Sequence, residues 1–206
     1  MIRLKALTVG PLGTRCYILF GDEDPEKALI VDPGDDANAI LGALGNATVA
    51  GILLTHGHFD HTGAVTAFPD APMYLGRADI PMLNDPTLNV GEMCRDFRPR
   101  RTDAIALDGG EQLTFSGFSA PVTVLSSPGH TPGGLCYLQE GRLFTGDTLF
   151  CRSYGRTDFP GGDERVLWES IRSILSLPGN PEVFPGHMET TTLDRERAWW
   201  HFGGQA

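Results

Sequence analysis

Five of the six histidines lie in three short segments that contain glycine and that each follow a strand-like run. A fourth segment of the same kind carries an aspartate instead. The candidate metal-ligating residues are His56, His58, Asp60 and His61 in THGHFDHTG, His130 in SSPGHTPGG, Asp147 in FTGDTLF and His187 in VFPGHMETT. Five imidazoles and two carboxylates suit two divalent ions of the zinc, iron or manganese type.

The first segment carries the strongest signal, because it places four candidate ligands close together in the chain. In an extended stretch, residues two apart point the same way, so His56 and His58 are predicted to face one target. A helical pattern begins next, so Asp60 and His61 are predicted to turn toward a second target. Chance would produce His-x-His-x-Asp-His on the order of once in a few thousand sequences of this length. A single Gly-His, as at His130, is more often part of a turn than a metal ligand. The four candidate ligands of the first segment strengthen the interpretation of His130 as a ligand.

The composition restricts what such a site could act on. The 206 residues include 16 Lys or Arg and 26 Asp or Glu, which gives a formal net charge of −10. An acidic balance argues against a nucleic-acid partner, because phosphates are neutralised by basic side chains. No apolar run approaches the roughly 20 residues that cross a bilayer, and the first residues are not typical of a signal peptide. We therefore expect a cytoplasmic protein with a small-molecule partner and no membrane partner, and we make no prediction of its oligomeric state.

The four cysteines, Cys16, Cys94, Cys136 and Cys151, are far apart in the chain and form no CxxC pair. This spacing indicates neither a disulfide framework nor a thiolate zinc site. We expect four reduced side chains packed in the interior.

The chain shows no repeat, charge block or linker, and its mixture of strand-like and helical patterns predicts one layered α/β domain over residues 1–206, with helices covering sheets. The predicted strands are Ile2–Val9, Cys16–Phe20, Ala28–Val31, Val49–Leu54, Met73–Leu75, Gln112–Phe115, Val122–Leu125, Leu135–Leu138, Arg142–Phe144 and Glu182–Phe184. The predicted helices are Ala37–Leu44, Thr62–Phe68, Asp79–Leu83 and Glu164–Leu177. Asp163 is predicted to be the N-cap of the last helix.

The segments THGHFDH, PGHTPG, FTGDTLF and FPGH, in this order, resemble the metal-binding motifs of the metallo-β-lactamase superfamily, from about Ile2 to the end of the chain. The resemblance implies an αββα sandwich with the metals in a cleft at one edge of the two sheets. It also implies a ligand set, with His56, His58 and His130 on one ion, Asp60, His61 and His187 on the other, and Asp147 bridging both. Asp32 in IVDPG resembles a group that orients a ligand histidine. A role in capping the turn that follows Asp32 is equally open.

Within this superfamily, the sequence resembles the short bacterial glyoxalase II-like group, the hydroxyacylglutathione hydrolases and their relatives. The similarity rests on YGRTDFPGGD, residues 154–163, and on Glu196 and Arg197 in TTLDRER. It implies cleavage of a small thioester, such as a 2-hydroxyacyl-glutathione-like substrate, by a hydroxide that two ions hold and Asp60 aligns. The sequence stops soon after His187, without a match to the helical domain that helps long glyoxalase II enzymes bind glutathione, so the thiol portion stays open.

Two other activities of the superfamily enter the comparison. Asp147 stands where the commonest class of true β-lactamases has cysteine, which argues against antibiotic hydrolysis. The GRTDF element also occurs in persulfide dioxygenases, mononuclear iron enzymes that oxidise glutathione persulfide, and this is the alternative function. The PGGD residues that follow the element favour the hydrolase. Arg156 and Asp158 are predicted to form a pair that fixes the loop, with substrate positioning as the alternative.

Two further segments carry open interpretations. The most concentrated positive charge consists of Arg95, Arg98, Arg100 and Arg101. These arginines are interpreted either as a clamp on substrate carboxylates or as a solvated loop, and short charged runs usually face water. In the tail AWWHFGG, the aromatic residues Trp199, Trp200 and Phe202 are predicted to pack the terminal helix, with an exposed dimer contact as the alternative.

The sixth histidine, His201, lies outside the four segments and is assigned no metal role. The substitution His201→Ala is expected to leave metal content and turnover unchanged, with at most a small effect on stability, because it lies close to a chain terminus. Elemental analysis of the purified variant checks this prediction. Loss of an ion would show that the ligand set is misassigned.

Overall fold

The computed structural model describes residues 2–96 and 98–202 and contains two six-stranded sheets and one short ribbon. The first sheet consists, in spatial order, of β1 (Arg3–Val9), β2 (Thr14–Phe20), β3 (Lys27–Val31), β4 (Thr48–Leu53), β5 (Met73–Gly76) and β6 (Ile105–Leu107). The second consists, in spatial order, of β14 (Thr191–Thr192), β13 (Glu182–Pro185), β10 (Arg142–Gly146), β9 (Leu135–Gln139), β8 (Val122–Ser126) and β7 (Gln112–Leu113). The ribbon pairs β11 (Leu149–Phe150) with β12 (Ser153–Tyr154).

Strand direction determines where the helices lie. Strands β1 to β3 are antiparallel, whereas β3 to β6 are parallel, and β10 is parallel to β13 in a second sheet that is otherwise antiparallel. Parallel neighbours need crossover connections, which usually contain helices. The α-helices are α1 (Ala37–Leu44), α2 (Phe59–Thr62), α3 (Glu164–Leu175) and α4 (Leu193–Phe202), and 3₁₀ helices span Val65–Ala67 and Arg77–Asn84. Among the described residues, no helix has both the length and the apolar character of a membrane span.

Successive residues of the strands pack into different layers. Ile18 and Ile30 point away from the second sheet and pack with Ile40 of α1, whereas Leu19 and Leu29 point toward the second sheet. This alternation follows from the two-residue period of a β-strand. The layer between the sheets contains Leu19, Leu29, Leu53, Val122, Val124, Leu135, Tyr137, Phe144 and Phe184 among others. The predicted αββα sandwich is therefore confirmed.

The outer face of the second sheet is covered by α3 and α4. Leu167, Ile171 and Ile174 of α3 are buried there. Trp200 packs against the rings of Tyr154 and Trp168, whereas Trp199 is 40% exposed. The packing role predicted for the aromatic tail is therefore confirmed for Trp200, and the side chains of residues 201 and 202 lie outside the described part of the chain.

Two buried tyrosines connect the sheets next to the segments that carry the candidate ligands. The hydroxyl of Tyr17, on β2, donates to the carbonyl of Pro185 at the end of β13 at 2.7 Å. The hydroxyl of Tyr137, on β9, donates to the carbonyl of Leu54 just after β4 at 2.8 Å. Burial raises the pKa of both phenols, so both remain donors. Each sheet thus fixes a strand end of the other.

Some local predictions were wrong. The helix expected over 62–68 is divided into the earlier α2 and a 3₁₀ turn, and the segment over 79–83 is a longer 3₁₀ helix, Arg77–Asn84, that contains Pro81. A proline removes the backbone donor that a regular α-helix requires. Cys16 and Cys136 are buried as expected, but Cys94 is exposed and Cys151 is half-buried, because they lie in turns rather than in strands that face the core.

Asp163 is the N-cap of α3, as predicted, because its carboxylate accepts a hydrogen bond from the backbone N–H of Val166 at 3.0 Å. The substitution Asp163→Ala leaves that N–H without its partner and should lower the free energy of unfolding by about 1 kcal/mol. Asparagine at the same position retains an acceptor and serves as the control. Denaturant unfolding of both variants measures the difference, and equal stabilities would show that the cap contributes nothing.

Candidate metal centre

The four candidate ligand segments meet at one edge of the sandwich because each follows the carboxyl end of a strand. His56, His58, Asp60 and His61 follow β4, and His130 follows β8; Asp147 follows β10 and His187 follows β13. The segments therefore come from both sheets. Their nitrogen and oxygen atoms approach within 4.8 Å of one another in three overlapping groups that together include all seven residues.

The first ligand group consists of His56, His58 and His130, which are all buried. His58 Nδ1 and His130 Nε2 lie 2.9 Å apart. His130 Nδ1 lies 2.6 Å from the carbonyl of Arg156, which only accepts, so Nδ1 carries the proton and Nε2 presents its lone pair to the group. His56 Nδ1 lies 3.1 Å from the hydroxyl of Thr55, which orients that ring in the same way.

The second ligand group consists of Asp60, His61 and His187. Asp60 Oδ2 lies 3.3 Å from His187 Nε2 and 3.5 Å from His61 Nε2. His61 Nδ1 lies 2.9 Å from Asp32 Oδ2, so Asp32 orients this candidate ligand as the resemblance implied. Asp32 also accepts from the backbone N–H and hydroxyl of Thr55, and these contacts replace the alternative role of capping the following turn.

Asp147 lies between the two groups. Its Oδ1 is 3.4 Å from His61 Nε2, and its Oδ2 is 3.6 Å from both His130 Nε2 and His187 Nε2. Gly186 makes this approach possible, since an added Cβ there would collide with Asp147 Oδ1 and lie 2.7 Å from His61 Cε1. One carboxylate thus faces both groups, as a bridging ligand would.

The donor set fits divalent cations. Two atoms that each lie about 2.0–2.1 Å from a tetrahedral zinc ion are about 3.4 Å apart, which is close to the separations around Asp60 and Asp147. His56 Nε2, His61 Nε2 and Asp147 Oδ1 are buried and have no hydrogen-bond partner among the described residues. Buried polar atoms of a native protein nearly always have a partner. A cation in each group would supply it for the atoms that face the groups.

Burial and charge set opposite protonation preferences in this cluster. Burial lowers the pKa of His56 and of His58, and the neighbouring histidines lower both further, so these two rings are neutral and able to bind metal. Burial also opposes a charge on His61, but the carboxylates of Asp60, Asp147 and Asp32 raise its pKa to about 10. A divalent cation can replace that proton as the partner of these carboxylates.

Thr14 is a residue of the site that no sequence pattern indicated. Its hydroxyl, at the start of β2, donates to Asp60 Oδ2 at 2.7 Å. Burial would raise the pKa of Asp60, but His61, His187 and this hydrogen bond lower it, so Asp60 stays ionised. A lone threonine offers no signal in the sequence, since the contact depends on how β2 lies beside α2.

A cavity of about 520 Å³ opens directly over both ligand groups. Its apolar wall contains Leu12, Phe59, Val90, Met93, Phe150 and Phe159. Arg156 also lines the cavity, but its guanidinium pairs with Asp158 at 2.6 and 2.5 Å and lies over the Phe159 ring. The predicted pair of Arg156 and Asp158 is therefore confirmed, and the loop that contains it carries the carbonyl that orients His130.

The arginine segment has a role that neither interpretation anticipated. The guanidinium of Arg100 is buried and donates to the hydroxyl of Thr62 and the carbonyl of Phe59, both at 3.1 Å. Arg101 donates to the carbonyls of Phe68 and Ala71. The substrate clamp and the solvated loop are thus both wrong for these two arginines. Arg100 holds α2, which carries two candidate ligands, and Arg101 holds the chain that follows it. Of the four arginines, only Arg95 and Arg98 are exposed.

Comparison with known proteins finds related sequences and structures. Residues 9–187 match the family model described as the metallo-beta-lactamase superfamily. The hydroxyacylglutathione hydrolase GloC of Haemophilus influenzae is 32% identical over 210 residues, which cover 95% of each chain. The crystal structure of BLEG-1 B3 metallo-beta-lactamase has a TM-score of 0.87 and 38% identity, and covers 95% of this chain and 97% of its own. That of TTHA1623 in a di-iron-bound form has a TM-score of 0.81 and 33% identity, and covers 94% and 96%.

The position of Asp147 predicts a joint effect on both ligand groups. We expect two ions per chain, and we expect Asp147→Ala to weaken the binding of both, because the lost carboxylate offsets the repulsion between two cations. Outer partners of metal ligands alone are worth roughly 10–100-fold in affinity, so the loss should exceed about 100-fold. Elemental analysis after dialysis against a chelator measures it.

Asp70→Ala removes an exposed carboxylate and is the matched control for this substitution. It should retain both ions under the same dialysis. If Asp147→Ala also retained both, the bridging assignment would be wrong.

Proposed function

The chain belongs to the metallo-beta-lactamase superfamily, and on this premise we propose that it is a thioester hydrolase with a binuclear metal site. The substrate is a small thioester, such as a 2-hydroxyacyl-glutathione-like compound. The observation that carries the proposal is the convergence of two ligand groups, joined by Asp147, beneath a single cavity.

The proposed cofactors are two divalent metal ions, with zinc as the first choice and iron or manganese as alternatives. The first ligand group would hold one ion and the second the other, with Asp147 placed to bind both. Such a pair supplies a nucleophile at neutral pH, by lowering the pKa of a bound water, and polarises a substrate carbonyl. The di-iron form of the related TTHA1623 supports keeping iron among the alternatives.

Asp60 is the proposed catalytic residue. Its carboxylate stays ionised and its Oδ2 is fixed by the Thr14 hydroxyl, so it can accept a hydrogen bond from the attacking water and orient it. The five histidines of the candidate site all belong to the ligand groups, so none of these five is free to protonate a leaving group. A thiolate leaves without such help, whereas the amine of an amide does not, and this favours a thioester.

The cavity supports a small-molecule substrate. Its volume is within the range typical of such sites, and its mostly apolar wall surrounds a few convergent polar groups. Because the guanidinium of Arg156 pairs with Asp158, it is less available to bind a substrate carboxylate. In keeping with the net charge of −10, we place the enzyme in the cytoplasm, with no nucleic-acid or membrane partner.

The alternative function is a mononuclear iron persulfide dioxygenase that acts on glutathione persulfide. Dioxygen activation requires a redox iron with open coordination positions. Seven convergent ligands instead favour two ions and hydrolysis.

The similarity to BLEG-1, named a B3 metallo-beta-lactamase, adds a β-lactam to the substrates that a test should include.

One preparation of metal-free protein, restored with zinc and then with iron, separates these functions. We expect S-D-lactoylglutathione or a related 2-hydroxyacyl thioester to be hydrolysed without oxygen, and glutathione persulfide and a β-lactam to be poor substrates. The rate should fall at acid pH as the ligand histidines take up protons. Thioester loss, β-lactam loss and oxygen consumption are followed in parallel.

Oxygen uptake with persulfide that exceeds thioester cleavage, in the iron form alone, would replace the hydrolase with the dioxygenase. β-Lactam cleavage that exceeds thioester cleavage would replace the substrate class.

A further inference from the structure

The histidines of the first ligand group lie on two loops that belong to different sheets. His56 and His58 follow β4 of the first sheet, whereas His130 follows β8 of the second. The 3₁₀ helix Arg77–Asn84 carries a fully buried aspartate, Asp79, between these loops. Nothing in the sequence distinguished Asp79 from a residue of an ordinary helical segment.

The carboxylate of Asp79 bonds to both loops at once. Its Oδ2 accepts from the backbone N–H of Gly57 at 3.1 Å and from the hydroxyl of Thr131 at 2.6 Å. Its Oδ1 accepts from the backbone N–H of Gly133 at 2.6 Å. Gly57 lies between the two histidines of one loop, and Thr131 directly follows His130 of the other. Two of the three donors are thus immediate neighbours of the three histidines.

The close fit leaves little freedom for the loops to move apart or together. A Cβ added at Gly133 would lie 2.6 Å from the Asp79 backbone nitrogen and 2.8 Å from its Oδ1. Hydrogen bonds to an ionised carboxylate are about twice as strong as those between neutral groups. The carboxylate therefore fixes the separation of two loops that no strand pairing joins directly, since β4 and β8 lie in different sheets.

We propose that Asp79 is a positioning residue that sets the spacing of the first ligand group and thereby its affinity for a metal ion. This inference rests on the binuclear site of the proposed function. Asp79 accepts its hydrogen bonds from atoms beside the ligands and not from their imidazoles. It differs in this from Asp32, which bonds directly to His61 of the second ligand group. The second ligand group is held by Asp32 and Thr14 and does not depend on Asp79.

The test measures each group separately. In a His187→Ala background the first ligand group is intact, and in a His130→Ala background the second retains its three side chains. Adding Asp79→Ala should lower the zinc affinity of the first background by roughly 10–100-fold, the range for outer partners of metal ligands, and leave that of the second unchanged. Competition with a chelating dye measures both affinities without any assay of activity.

Two further variants separate positioning from general destabilisation. Ile40→Ala opens a cavity beneath α1, leaves the three hydrogen bonds of Asp79 in place, and should lower stability without a selective loss of affinity. Thr131→Val removes one of the three donors and should lower the affinity of the first group in the same direction but less. It also keeps the inference testable if Asp79→Ala does not fold.

A parallel loss in both backgrounds, no loss in either, or the pattern of Ile40→Ala would overturn the role of Asp79. A wild-type protein that holds two ions and cleaves the thioester would in that case leave the proposed function standing. If the wild-type protein bound fewer than two ions, the proposed function itself would fail, whatever the variants showed.

Discussion

The site depends on the packing of one sheet against the other, because neither sheet carries a complete ligand group. Each group combines a residue after β4 with a residue from the second sheet, so the apolar layer between the sheets sets the distance between them. Tyr17 and Tyr137 reinforce this layer where accuracy is most needed. Each donates across the interface to a carbonyl close to a candidate ligand. Two backbone hydrogen bonds of 2.7 Å also join the two sheets, from the Leu135 N–H to the Thr55 carbonyl and from the Arg15 N–H to the Gly186 carbonyl.

The site also has to hold ionisable side chains in a buried environment, which disfavours their charged forms. Imidazoles and carboxylates are gathered where water is scarce, and unpaired buried charges are costly. Ring nitrogens that do not face the ligand groups have hydrogen-bond partners in the protein. The carbonyl of Arg156 is the partner of His130 Nδ1, and Asp32 is the partner of His61 Nδ1. The atoms that face the groups are left to a cation. The arrangement therefore fits a divalent cation in each ligand group.

Local patterns in the sequence predicted a layered α/β domain and the seven candidate ligands, and the resemblance to the metallo-β-lactamase superfamily implied the αββα sandwich. Short β-rich runs between glycine and proline residues identified the longer strands, and Gly-His and Gly-Asp turns after them identified the ligand segments. The short strands β6, β11, β12 and β14 were not predicted, since two or three residues carry no period and are held by their neighbours. Thr14, Asp79 and Arg100 act through contacts distant in sequence. Only the folded chain shows those contacts, so the supporting residues of the site could not be inferred.

The order of the ligand segments along the chain has a consequence for synthesis on the ribosome. The first sheet ends with β6, so His56, His58, Asp60 and His61 emerge before any strand of the second sheet exists. At roughly 5–20 residues per second, His187 follows seconds later. During that interval the inner face of the first sheet, with Leu19 and Leu29, has no covering layer. The nascent chain therefore exposes an apolar surface together with an incomplete set of candidate ligands, and the second ligand group is complete only after His187 has been added.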